Sequence, residues 1–544
     1  MKQTLPSATR LAASVAITVA SLLGLNIQSA AAAVTNSTQA IIAATKAPMV
    51  PLVLAPQTAG PRPKRSAKKS PSKITPAAAR TRSGTMWSST KGATALSDAV
   101  GSMLASHTRS GSWGAIIVSL TRGDTLFAQN ADAMMQPAST MKMYTSAVAL
   151  DRFGPDFAFR TPVLRDGAVG PDGSLSGNLY LRGVGDPSLG TRFWHDDEPM
   201  DLLAKQIAAT GIKRVRGDII GDASAFDEKL VPDGWKTSYL GASYAARVSA
   251  LSLNENLVWV VVKPLNGKAS VTLEPATTAI PVDASVSLVG GSGGRISAYR
   301  RPDGTISVRG SVGARSAPLK YSLVVDNPAL FTTGALRASL LKAGVTVDGQ
   351  LRLAPTPATA TEVAAISSPP LGQIIGEMDR ESINIFAELL YRASARGSAT
   401  QVGSAETALA HLRDFLNKKV GTAPTVVDVA DGSGLSLLDH VTARSMVQLL
   451  GYVHQADWGP VFHAALPVDG ESGTLKRRSK GTPARGNLHA KTGTTNTVAA
   501  LGGYVTAKNG EVLAFSLMYN GNDRWNAKTA MDQIGATMAD FVRE

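Results

Sequence analysis

Two blocks of β-pattern stand at opposite ends of this chain. A sheet built from both constrains the fold more than any other feature. Residues 113–120 and 125–129 are β-rich runs joined by a turn at Arg122-Gly123-Asp124, and they read as paired strands. Residues 488–495, 499–507 and 512–519 read as three more, with Lys508-Asn509-Gly510 turning the last pair. A helix over 96–105 leads into the early pair, and an amphipathic helix over 527–542 closes the chain. If the late strands join the early pair, one antiparallel sheet holds both ends. The domain around it is then discontinuous.

Directly after the early strands comes QPASTMKMYTSAVAL, residues 136–150. Its Ala-rich apolar run predicts a helix that starts near Ser139. Ser139 and Lys142 are three apart, so a helix sets hydroxyl and amine side by side. They fall at the end where free backbone N–H groups and the dipole favour negative charge. A serine needs a nearby base to become a nucleophile, and a desolvated lysine can serve. The spacing alone is weak. It recurs at Ser66/Lys69, Ser70/Lys73, Ser88/Lys91 and Ser339/Lys342, and a capping serine beside a surface lysine explains such pairs equally well.

Composition removes several classes of function. At 544 residues the chain can hold two or three domains. With no cysteine, there is no disulfide framework, thiol nucleophile or Cys-ligated zinc. The seven histidines are scattered, so neither a metal nor a cofactor is expected. Of the formal +14, twelve charges lie on Lys and Arg before Asp98, where no Asp or Glu occurs. That leaves +2 for the rest, so no basic face argues for nucleic acid.

Residues 1–33 read as a secretory signal. Lys2 and Arg10 give the positive end, 11–25 the apolar stretch, and Ser29-Ala30-Ala31-Ala32-Ala33 the small-residue cleavage site. An uncleaved anchor is the other reading, but Asn26 and Gln28 interrupt a run already short for a span. Residues 34–92 are a Pro/Ala/Ser-rich basic linker, expected to be disordered. Its PRPKRSAKKSPSK core can rest weakly on an anionic envelope surface or act as a solvated spacer. A periplasmic location is expected. After Phe153-Gly154-Pro155 the pattern becomes strand-rich, with candidates at 178–182, 214–220, 257–263, 269–273, 285–289, 294–299 and 305–310. This region reads as inserted domains. Helical pattern returns at 328–343 and from Leu371 on.

Two further motifs follow. Ser382 and Asn384 form a Ser-x-Asn at a helix start, itself a common pattern that recurs at Ser176/Asn178 and Ser252/Asn254. Lys491-Thr492-Gly493-Thr494 falls in a predicted strand, where a glycine lets a ligand approach the backbone. Average composition predicts a Lys-Thr-Gly only ~0.1 times in such a chain.

Ser-x-x-Lys, Ser-x-Asn and Lys-Thr-Gly in this order resemble the triple signature of penicillin-binding proteins and serine β-lactamases. The long gap between the first two resembles the class C low-molecular-mass penicillin-binding proteins, D-alanyl-D-alanine carboxypeptidases/endopeptidases of the penicillin-binding protein 4 type. LRGVGDP (181–187), GDASAF (221–226), ALSLNEN (250–256), DGSGLS (431–436) and SGTL (472–475) match as well. The resemblance covers 93–544. It implies an α+β fold with a discontinuous catalytic domain over 93–165 and 355–544. It also implies two strand-rich insertions, one over 166–280 and 316–354, the other over 281–315.

The resemblance also implies roles. Ser139 is the nucleophile and Lys142 its base. Ser382 relays the proton and Asn384 binds the substrate amide. Lys491, Thr492, Gly493 and Thr494 take the terminal carboxylate, and the backbone N–H groups of Ser139 and Thr494 form an oxyanion hole. Lys491 is expected to help lower the pKa of Lys142. Asp222 and Phe226 match a stretch that approaches the cleft, and Asp222 would meet the amine of diaminopimelate; a turn Asp and a core Phe explain them equally well. Asp431, Ser433 and Ser436 read either as cleft residues or as a turn. Some relatives carry Met and Ser where Thr495 and Asn496 stand, which leaves the side-chain pocket open. The expected partners are peptidoglycan stem peptides and β-lactams. The competing readings are a serine β-lactamase, though no residue marks a deacylating base, a non-catalytic wall-binding relative, and a plain esterase.

Overall fold

The computed structural model describes residues 92–543 except 196–197 and 399–400. The expected signal and linker lie outside these residues, apart from Gly92, which begins a helix. That helix is α1 (Gly92–His107). Strands β1 (Ser112–Ser119) and β2 (Asp124–Gln129) follow. Then come α2 (Met141–Phe153), α3 (Leu371–Glu381) and α4 (Asn384–Ser394). At the end stand β3 (His489–Thr494), β4 (Val498–Thr506), β5 (Val512–Asn520) and α5 (Arg524–Asp540).

The five strands make one antiparallel sheet in the order β2-β1-β5-β4-β3. The last strand lies in the middle, with Ile116 opposite Ser516 on one side and Leu501 opposite Leu517 on the other. Alternation along each strand explains why it is covered on both faces. Ile116, Ala500, Ala514 and Met518 point to a core shared with α2, α3 and α4. Ala115, Ile117, Leu501, Phe515 and Leu517 point to the opposite core, where Leu96, Val100, Leu104, Ile534 and Met538 of α1 and α5 close over them. β3 forms one edge of the sheet and β2 the other.

The fold is α+β. A second five-stranded sheet brings Leu351–Leu353, Ile219–Asp222, Leu179–Arg182, Arg160–Arg165 and Thr361–Ser367 side by side. Two three-stranded sheets follow, centred on Leu257–Leu265 and on Ile306–Gly313. The strand expected over 214–220 is two short ones, Arg214–Val215 and Ile219–Asp222, in different sheets. The middle region also holds helix Pro199–Ala209, which buries Met200, Leu203, Ala204 and Ile207. No helix among the described residues is long and apolar enough to cross a membrane.

Candidate active site

Ser139 sits in a one-turn 3-10 helix, Ala138–Thr140, that runs straight into α2. Ala138 holds a left-handed φ of 46°. For a non-glycine residue this costs about 1–3 kcal/mol, and the surrounding packing must supply it. Helix α2 is buried from Met141 to Leu150, its polar residues included. Each of these has a partner. Thr145 Oγ1 donates to the Gly432 carbonyl (2.7 Å), and Ser146 Oγ to Asp379 Oδ2 (2.6 Å).

Lys142, fully buried, places Nζ 3.3 Å from Ser139 Oγ, 2.6 Å from Asn384 Oδ1 and 2.7 Å from the Ser433 carbonyl. The orientation of the Asn384 amide is fixed at its other end, because Nδ2 donates to the Tyr244 carbonyl at 2.8 Å. Two of the three neighbours can therefore only accept. A neutral amine has two N–H groups and one lone pair. With both N–H groups spent on Asn384 and Ser433, the lone pair faces the Ser139 hydroxyl. Burial pushes the pKa of Lys142 down to about 8, against the charges of Asp431, Asp379 and Glu388, which favour the cation.

Lys491, also fully buried, projects from edge strand β3 and donates to Ser382 Oγ (2.8 Å) and to the Thr492 carbonyl (3.1 Å). Ser382 ends α3 with a left-handed φ of 59° and is separated from α4 only by Ile383. So Ser382 faces one lysine while Asn384, at the first position of α4, faces the other. Burial first, and the charge of Lys142 second, hold Lys491 below the ordinary lysine value, with Asp379 opposing. The mutual repulsion expected to lower Lys142 thus shows on Lys491. Asp379 is buried behind both amines, and burial raises its carboxyl against the pull of the two lysines.

The DGSGLS stretch closes the back of the site. Asp431 accepts from the backbone N–H groups of Ser433, Gly434 and Ser436 and from Trp235 Nε1 at 2.7 Å. This turns the chain so that the Ser433 carbonyl meets Lys142. Gly434, at φ 80°, passes so close to the Ser139 turn that a Cβ there would lie 1.8 Å from the Ala138 carbonyl oxygen. Gly493 of β3 packs against the same turn, and its Cβ would fall 2.5 Å from the Pro137 carbonyl oxygen.

Ser139, Ser382, Thr492, Gly493 and Thr494 open onto one cleft of about 510 Å³. Its outer wall is Thr474, Arg478 and the first turns of α5, including Trp525, Lys528 and Asp532. Thr474 Oγ1 and Thr492 Oγ1 are hydrogen-bonded at 2.7 Å.

Asp222 and Phe226 are not brought to this cleft, which corrects the expectation for both. Asp222 lines a separate cavity of about 760 Å³ with Phe153, Phe157 and Phe159. Its carboxylate is occupied by the N–H and hydroxyl groups of Ser224 and Thr356, which hold its pKa low despite burial. Phe226 is buried in the core. The residues missed from sequence are Asp379, Tyr244, Thr474, Arg478, Trp525 and Lys528. Only Thr474 lay in a stretch already singled out. Among the described residues, no group of three His, Cys, Asp or Glu is placed to hold a metal ion.

Residues 96–541 match the D-Ala-D-Ala carboxypeptidase 3 (S13) family. A D-alanyl-D-alanine carboxypeptidase of Actinomadura sp. (strain R39) is 34% identical over 453 residues, covering 79% of this chain and 81% of that one. D-alanyl-D-alanine carboxypeptidase DacB of Haemophilus influenzae is 26% identical over 415 residues, covering 75% and 85%. The crystal structure of penicillin binding protein 4 (dacB) from Haemophilus influenzae superposes with a TM-score of 0.66 at 23% identity. It covers 80% of this chain and 97% of that one, and so shares its fold. The same protein has been solved in complex with a β-lactam, with a TM-score of 0.62.

Proposed function

Because this chain belongs to the D-Ala-D-Ala carboxypeptidase 3 (S13) family, we propose that it is an exported, penicillin-sensitive serine peptidase acting on D-Ala-D-Ala ends and D-Ala cross-links of peptidoglycan. One observation carries the reading: Lys142 Nζ lies 3.3 Å from Ser139 Oγ with two fixed acceptors, Asn384 Oδ1 and the Ser433 carbonyl, on its other sides, so that once neutral its lone pair is left for Ser139.

Ser139 Oγ attacks the carbonyl of the penultimate D-Ala as Lys142 takes its proton. The tetrahedral oxyanion lies between the backbone N–H groups of Ser139 and Thr494; one such donor contributes about 3–4 kcal/mol. Ser382, held by Lys491, passes a proton to the departing amine. The acyl-enzyme is then opened by water. Thr492 and Thr494 hold the terminal carboxylate of the leaving residue, beside Lys491. Asn384 keeps Lys142 in place, and its second Nδ2–H is the donor for the substrate amide. The only carboxylate lining the cleft among the described residues, Asp532, is paired with Arg478. Among the described residues no unpaired carboxylate lines the cleft to speed deacylation, which favours a lasting penicilloyl adduct over β-lactamase turnover.

The secretory pattern of residues 1–33 supports export to the periplasm, and the basic linker supports a weak contact with an anionic envelope surface. The test uses benzylpenicillin and intact mass. The native protein gains one equivalent on Ser139 and releases D-Ala from a pentapeptide stem; Ser139→Ala does neither. Labelling that survives in Ser139→Ala overturns the assignment of the nucleophile.

A further inference from the structure

The cleft does not end where a departing D-alanine would. It continues past Thr492 and Thr494 to the start of α5, where Trp525, Lys528, Thr529 and Asp532 line it. The wall there has three unusual properties. Trp525 is 66% exposed, the most exposed large apolar side chain among the described residues. Its ring is flanked by cations, Lys528 Nζ at 4.7 Å and the Arg524 guanidinium at 5.1 Å from its centre. The charges do not cancel. Arg478 is paired with Asp532. Arg524 is bonded to the Thr495 carbonyl and the Asn496 side-chain oxygen, neither of them a carboxylate. Lys528 Nζ has no hydrogen bond or ion pair among the described residues beyond its contact with Trp525. Its pKa is drawn down by burial and by Arg478 and Arg524, with Asp532 opposing, so a bound anion would relieve its surroundings.

We propose that Trp525 and Lys528 form a leaving-group subsite that takes the anionic stem peptide released when a cross-link is cut. The assignment rests on the peptidase reading above, which puts the terminal carboxylate of the leaving residue on Thr492 and Thr494. A D-alanine leaving group ends there. The diaminopimelate of a cross-link does not. It carries its own carboxylate at that place and goes on into a chain bearing further carboxylates. The next surface that chain meets is an indole face with a cation beside it. Trp525 gives a broad rigid contact for the extended chain at little entropic cost, and Lys528 gives the charge. No bond forms or breaks at this subsite. It contributes binding to one class of substrate and not the other.

The experiment compares two substrates on the full-length protein, a D-Ala–diaminopimelate cross-linked muropeptide dimer and the monomeric pentapeptide. Benzylpenicillin acylation reports that each variant is folded. Lys528→Glu is expected to lower kcat/KM for the dimer at least tenfold more than for the pentapeptide, mainly through KM. Trp525→Ala should show the same selectivity in smaller degree, and Lys528→Arg should restore most of the dimer activity. Rising ionic strength should raise KM for the dimer in the native protein and have little effect in Lys528→Glu. Equal losses on both substrates, or an unaltered dimer activity, would overturn the subsite while leaving the peptidase reading standing. A native protein that is neither acylated nor active on either substrate would remove that reading and the subsite with it.

Discussion

On the mechanism proposed above, the chemistry of this site turns on Lys142. The side chain is a base only when neutral, and burial sets its pKa near 8. Acylation by benzylpenicillin should therefore rise with pH and level off above about 8, falling about tenfold for each unit below. A stopped-flow acylation profile that stays flat from pH 6 to 9 would exclude Lys142 as the base. The same shift has a counterpart in stability. The unfolded chain keeps the proton up to an ordinary 10.5, whereas the folded one releases it near 8. The unfolded state then binds more protons between these values, so this residue adds stability as pH rises through that window. Lys142 was legible from the sequence because its partner is three residues away. The acceptors that aim it were not. Asn384 and Ser433 lie 242 and 291 positions further on, and the part Ser433 plays is a carbonyl oxygen, to which its side chain gives no clue.

At the scale of elements, the site is a place where four backbones meet: the 3-10 turn at Ser139, the α3–α4 junction, the DGSGLS turn and strand β3. Two glycines let them meet. Gly434→Ala sets a methyl group against the Ala138 carbonyl and also strains a φ of 80°. It should cost at least about 2 kcal/mol in stability and slow acylation a hundredfold or more by moving both Ala138 and the Ser433 carbonyl. Chemical denaturation and penicillin labelling measure the two effects, and full labelling at the native rate would show that the contact is tolerated. Some elements carried their signal openly. Helix α5 and strands β3 to β5 lie within a few residues of their expected ends. Helix Pro199–Ala209 also had apolar residues at helical spacing, Met200, Leu203, Ala204 and Ile207, but it stands among strand patterns and went unread. Two-residue strands such as Met134–Met135 are too short to show any period. That the start of α5 faces the cleft follows from packing, and Trp525 on its own reads as one more apolar helix residue.

The whole molecule is arranged by one pairing, β1 against β5, between residues about four hundred positions apart. The two blocks of strand pattern at the ends allowed that pairing to be expected, but not that the last strand would take the middle of the sheet. The long middle region is less visible. Its sheets mix parallel and antiparallel neighbours, as where Ile306–Gly313 runs parallel to Val282–Val289 and antiparallel to Gly294–Arg300. Strand pattern gives neither direction nor order. A chain cut after Gly510 lacks β5 and α5, so β1 and β4 lose the strand between them. It should show no benzylpenicillin labelling in a gel assay even though Ser139, Lys142, Ser382 and Lys491 are all present. Labelling of the cut chain would mean that the nucleophile pocket forms without the complete sheet.

The central position of β5 also has a bearing on timing. A polypeptide emerges from a ribosome or a translocation pore with its N-terminus first. Ser139 is therefore among the earliest parts of the ordered chain to appear, and β5, which joins β1 to β4, is among the last. Contacts of such separation form late. A chain whose last strand has not yet emerged is expected to be inert, for the same reason as the chain cut after Gly510.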